Sequence, residues 1–354
     1  MSWLRTILSS VFVLLMLASG HLLMVAINAA ELAIADPRAE FGLEARLFTD
    51  RPRQEELELA ARRTKNAEHR AIFQAELIQA REKGVAYSLQ TLPVTPFLWQ
   101  MTLGLTALGG LLLWWTSRLK SDAAQSIVGI FAGNLLWTGG VEYGLTIAAR
   151  SLGVAKSVAV VDGKVVAVFG EYVLLKHSWG AMALVLSYLL FLESSRCPLF
   201  LWWRERVRTM RGAIATGRID NYGPRSAFQY ATTVWAFYLL LLWAYDENVF
   251  GVHGFFTSAV LFASLAGALY CVWRLHQQRG WGPAIRYAVG AMIVAWTPLE
   301  IFGKWGVFRE PWLWLHPTTL VIFFGGLGLG TWSLWRAQRK PLPHSGNQAS
   351  EGRA

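Results

Sequence analysis

Histidines and carboxylates recur where long apolar runs end. His177 follows Glu171 and Lys176 in GEYVLLKHSWG, and His253 follows Asp246 and Glu247 in YDENVFGVHG. Glu300, Lys304 and His316 are strung along WTPLEIFGKWGVFREPWLWLHP (296–317), and Glu142 stands in WTGGVEYGLTIAAR. Imidazoles with nearby carboxylates suit Zn, Cu or Fe. Three histidines that leave one coordination position open form a catalytic arrangement. The expected metal ligands are therefore His177, His253, His316 and Asp246, with Fe, Cu or Zn as the cofactor. No HxxH, HxxxH or ExxH pair occurs, so the ligands would have to come from separate helices.

Glu142, Glu300 and Lys304 are the expected catalytic groups. Glu142 lies among Gly139, Gly140 and Gly144, where backbones approach and water is scarce; that setting suits proton handling. Glu300 and Lys304 are four apart, so a continuous helix pairs them on one face. Lys304 would then either hold an anionic group or keep Glu300 ionised. Each histidine also has a plain structural reading, as a helix cap or a partner for a loop carbonyl. His21, alone in the first apolar run, reads as packing or a helix–helix hydrogen bond.

The elements that must position these groups are apolar blocks of about 20 residues, the length that crosses a bilayer core of ~30 Å. They fall near 7–30, 96–117, 125–149, 177–203, 227–246, 254–274, 286–303 and 317–336. The chain has 354 residues, 54% of them hydrophobic and only 16% charged. This composition makes it an all-α polytopic membrane protein with about eight transmembrane helices. The net charge of +10 does not signal nucleic acid, because the basic residues sit in short loops between apolar blocks. Arg204 to Arg225, Arg274 to Arg286, 117–122 and the tail from Arg336 carry the excess on one side, whereas YDENVFGVHG has no Lys or Arg. That asymmetry puts both termini in the cytoplasm, in a bacterial-type inner membrane. The amino-terminal run through Ala30 is longer than a signal-peptide core of 7–15 residues, so it reads as a retained first helix.

Residues 1–35 form that first helix, and 36–95 an extracytoplasmic helical segment that could dock a protein partner. Residues 96–337 form a seven-helix membrane domain with a hairpin at 157–169, and 338–354 a disordered cytoplasmic tail. RQEELELAARRTKNAEHRAIFQAELIQAREKG (53–84) reads as one helix of about 30 residues, stopped at Gly84. Asp162-Gly163 between two valine-rich runs is a strong hairpin signal. An isolated hairpin is marginal in water, so it should rest on the 53–83 helix or the bundle mouth. FFGGLGLG (323–330) reads as a small-residue surface for close helix packing. Trp296, Trp305, Trp312 and Trp314 read as an interfacial belt, or as an aromatic wall for a lipid, quinone or cationic ligand. Cys197 and Cys271 read as ordinary packing thiols.

No kinase, hydrolase, P-loop, transporter or haem-attachment signature is present, and the histidine boxes of membrane desaturases are missing. Three functions remain open. The first is a membrane-embedded metal-dependent oxidoreductase with its site at the extracytoplasmic face. The second is a non-catalytic membrane subunit or assembly factor of a larger complex. The third is a transporter of a metal ion, proton or small solute.

Overall fold

The structure, a computed structural model, describes residues 2–35, 45–46, 54–83, 94–154, 157–161, 163–189, 206, 221–247 and 249–339. In chain order the helices are α1 (Ser2–Ala35), α2 (Gln54–Arg63), α3 (Ala67–Lys83), α4 (Pro96–Thr116), α5 (Asp122–Leu135), α6 (Gly144–Ser151), α7 (Gly170–Lys176), α8 (Trp179–Ser187), α9 (Tyr222–Ala244), α10 (Phe255–His276), α11 (Trp281–Lys304), α12 (Pro317–Leu320) and α13 (Gly326–Gln338). Four short strands complete the set: β1 (Ala45–Arg46), β2 (Ser157–Val161), β3 (Lys164–Val168) and β4 (Trp314–Leu315).

Six helices among the described residues are long and apolar enough to cross a bilayer: 3–31, 96–116, 222–244, 255–276, 281–304 and 317–338. The architecture is that of an all-α multi-pass membrane protein. The apolar block at 125–149 lies on helical backbone that continues from 122 to 151 and changes to a π turn at Leu136–Tyr143. The block at 177–203 is described only as far as 189, and the basic loop after it lies almost wholly outside the described residues.

The helices run alternately between two ends of the bundle. At one end Arg5 donates to the Gln278 carbonyl, Ser121 bonds Gln338 at 3.1 Å, and Arg286 faces Asp122 at 3.6 Å. At the other, Arg150 makes two bonds of 2.8 and 3.0 Å to Glu31, which also receives Thr95 at 2.7 Å. Lys176 pairs with Asp246 there. The Trp305 indole donates to the Val252 carbonyl at 2.9 Å, and β1 pairs with β4.

Helix α1 is central, with Phe12, Val13, Met16 and Leu22 at 0–1% exposure among α5, α11 and α13. Helices α5 and α9 pack backbone against backbone. A Cβ on Gly129 would lie 2.3 Å from the Gly223 carbonyl oxygen, and one on Gly133 2.7 Å from that of Ala227. Glycines four apart on α5 thus meet Gly223 and Ala227, also four apart, and let two backbones touch as small residues do in membranes. The glycines of FFGGLGLG do less. Gly326 and Gly330 make ordinary contact with Leu15, while a Cβ on Gly325 or Gly328 would meet open space.

Outside the bundle, the expected single helix over 53–83 is two helices. Asn66 starts the second one, its Oδ1 accepting from Glu68 N at 2.9 Å. Such an Asx cap satisfies amide groups that a continuous helix would bond internally. The two halves fold back, and Arg81 reaches Glu58 at 2.7 Å. β2 and β3 pair antiparallel with Val161 opposite Lys164, and Gly163 has φ of +71°. Asp162 lies outside the described residues. Val160 is buried with Leu57 and Phe73, so the hairpin rests on α2 and α3.

Candidate functional site

The four expected metal ligands are not brought together. The His177 ring nitrogen Nδ1 donates to the Val173 carbonyl at 2.7 Å, one turn back on its own helix, and the side chain is exposed. His253 stacks on Trp305 with ring centroids 5.6 Å apart. His316 caps α12: its Nδ1 accepts from Thr318 N at 3.2 Å, and Thr319 Oγ1 accepts from the His316 amide, also at 3.2 Å. Asp246 is the partner of Lys176. Among the described residues no group of three or more His, Cys, Asp or Glu could hold a metal ion. The physical reason is local. Each helix end has its own unmet backbone groups, and the polar side chain nearest to them is used there.

Two of the three expected catalytic groups do meet. A cavity, part of it open, lies between α1, the α5–π segment, α9 and α11. Glu142 and Glu300 both line it, and so does His21. Lys304 does not; it is exposed and lies over the Tyr245 ring at 5.9 Å.

Glu142 sits on the π turn. That wider coil shifts the phase of the helix, and such segments frequently mark functional positions. Gly139 permits the close packing behind it, since a Cβ there would stand 2.7 Å from that of Leu105 on α4. The Glu142 side chain is 4% exposed, and neither oxygen accepts a hydrogen bond of ordinary geometry, although the Trp137 indole comes near. Glu171 and Glu300 lie within electrostatic reach. Leaving a buried polar group unmatched costs about 1–3 kcal/mol. Ionisable groups kept at this depth ordinarily face an interior site.

Across the cavity His21 links three helices. Its Nδ1 donates to the Leu17 carbonyl at 2.9 Å, which fixes the tautomer because a carbonyl can only accept. Nε2 is then left to accept from the Tyr238 hydroxyl, 3.3 Å away, or, when protonated, to face Glu300 at 3.6 Å. The same Glu300 oxygen accepts from the Trp296 indole at 2.7 Å. Asn134 accepts from Tyr230 at 2.9 Å, and its side chain reaches that place because Gly20 opposite has none. Tyr172 on α7 stacks on Tyr238 at 6.3 Å. Burial, aided by the Glu142 and Glu171 charges, pushes the Tyr172 hydroxyl well above its ordinary range, so it stays protonated.

Trp296 and Trp312 are buried to 7% and 6% exposure and pack together with centroids 4.3 Å apart. They are core residues, not a belt: Trp296 carries a donor that Glu300 needs, and Trp312 covers its other side. One signal of this site is legible in the sequence. His21, Glu142 and Glu300 are ionisable groups on three separate apolar runs.

Comparison with protein-family models, curated proteins and solved structures returns no match. The class of protein is therefore set by the fold and the cavity alone: a multi-pass α-helical membrane protein with a polar site inside its bundle.

Proposed function

We propose that the chain is a proton-coupled carrier of the inner membrane, working through an interior site that exchanges protons at Glu142. The observation that carries this reading is the buried Glu142 carboxyl, without a hydrogen bond of ordinary geometry among the described residues, lining a cavity that a second carboxylate and an imidazole share. A carboxyl in that position can take up a proton, or give it up when a solute supplies a compensating charge. The groups around it complete the exchange. His21 and Glu300 face it from α1 and α11, Glu171 and Tyr172 from α7, and Tyr230 and Tyr238 from α9.

In this reading the membrane is crossed eight times with both termini in the cytoplasm. Arg5 and Gln338 belong to the same end of the bundle, and that end also carries Arg118, Lys120, Arg274, Arg279 and Arg286. Clustered Lys and Arg in short loops favour the cytoplasmic side. The hairpin with α2 and α3 would then lie outside the cytoplasm.

The test is infrared difference spectroscopy of the full chain in liposomes, stepped between acidic and alkaline buffer. A protonated-carboxyl band that responds to the step and vanishes in Glu142→Gln supports the reading. A band that is absent, or unchanged in Glu142→Gln, overturns it.

A further inference from the structure

We propose that the interior cavity binds a small organic cation, a monovalent ammonium whose charge is spread over alkyl groups. The inference rests on reading Glu142 as the exchanging group and adds the chemistry of the solute. Charge balance is the first argument. Among the described residues the cavity lining contains two carboxylates and no Lys or Arg. His21 faces Glu300 at 3.6 Å and balances it when protonated, whereas Glu142 has no such partner. When Glu142 gives up its proton, one positive charge is therefore missing at a residue 4% exposed and facing the cavity.

The walls are the second argument. Trp137 and Tyr238 both line the cavity with Glu142, their ring centroids 5.8 Å apart and their planes inclined at 43°. Tyr172 and His21 both stack on Tyr238, at 6.3 and 6.4 Å, and Trp296 lies 5.8 Å from the His21 ring. Aromatic faces attract a cation through their negative quadrupole, and alkylated ammonium ions are the ligands that use this most. The alternatives fit less well. An anion would enter beside two carboxylates. A neutral apolar molecule would cover Glu142 without matching it. A bare metal ion needs several oxygen or nitrogen ligands at once, and no group of three or more such side chains occurs among the described residues.

The experiment is calorimetric titration of the purified full chain, in a maltoside detergent, with choline, its neutral carbon analogue 3,3-dimethylbutan-1-ol, and acetate. Choline should bind saturably, the neutral analogue about tenfold more weakly, and acetate not at all. Glu142→Gln should weaken choline by about tenfold. Trp137→Leu should weaken it by roughly three- to tenfold, a second route should Glu142→Gln melt abnormally. Equal affinity for choline and the alcohol, or no saturable choline binding, overturns the proposal. An infrared response of Glu142 that persists without choline binding removes the solute class alone; loss of that response removes the carrier reading beneath it.

Discussion

The rim of the bundle and its interior use the same residue types for opposite ends. At the rim, His177 and His316 bond backbone groups within their own turn or cap, and Asp246 has a lysine. In the interior, His21 joins helices far apart in sequence, and Glu142 has no hydrogen bond of ordinary geometry among the described residues. Helix ends expose unmet amides and carbonyls that polar side chains can satisfy cheaply. In a helix middle the amides are already bonded, so a carboxylate there either finds a donor on another helix or waits for a ligand. Residue type alone therefore does not mark a site; an unmatched group in a cavity does.

Several substitutions would break or sharpen this contrast. Arg150→Met at the rim should cost the most stability, about 3–5 kcal/mol, because it leaves Glu31 buried at 0% exposure without its charge partner. Thermal melting in detergent reads this, and a loss under 1 kcal/mol would mean that the rim is not held by its ion pairs. His316→Ala should cost about 0.5–2 kcal/mol through the lost cap at α12. Full retention of the melting midpoint would argue for a role beyond capping. The double change His177→Ala and His253→Ala should shift stability by no more than about 0.5 kcal/mol. It should also leave the metal content of the purified chain unaltered, as measured by plasma emission spectrometry. A metal that is present and then lost would return the site to the rim.

The sequence made much of this fold legible. Blocks of uniform apolarity marked the six helices among the described residues that are long and apolar enough to cross a bilayer, and those near 96–117, 254–274 and 317–336 match α4, α10 and α12–α13 closely. Asp162-Gly163 marked its hairpin because the turn chemistry is local. The break at Thr64–Asn66 was missed because helix propensity stays high on both sides of one capping asparagine. The interior site was only half legible. Glu142 and Glu300 were named as reactive, but the phase of the π turn and the approach of His21 to Glu300 depend on packing between helices. Trp296 and Trp312 were missed for a related reason. Indoles near a membrane edge usually face the interface, and only the tertiary fold turns these two inward.

The central claim is that Glu142 exchanges a proton with solvent from inside the bundle. Infrared difference spectra of the reconstituted chain test it most directly when wild type, Glu142→Gln and the rim variant Asp246→Asn are compared. The account predicts a carboxyl band that survives in Asp246→Asn and disappears in Glu142→Gln. A band that disappears with Asp246 and survives without Glu142 would contradict it.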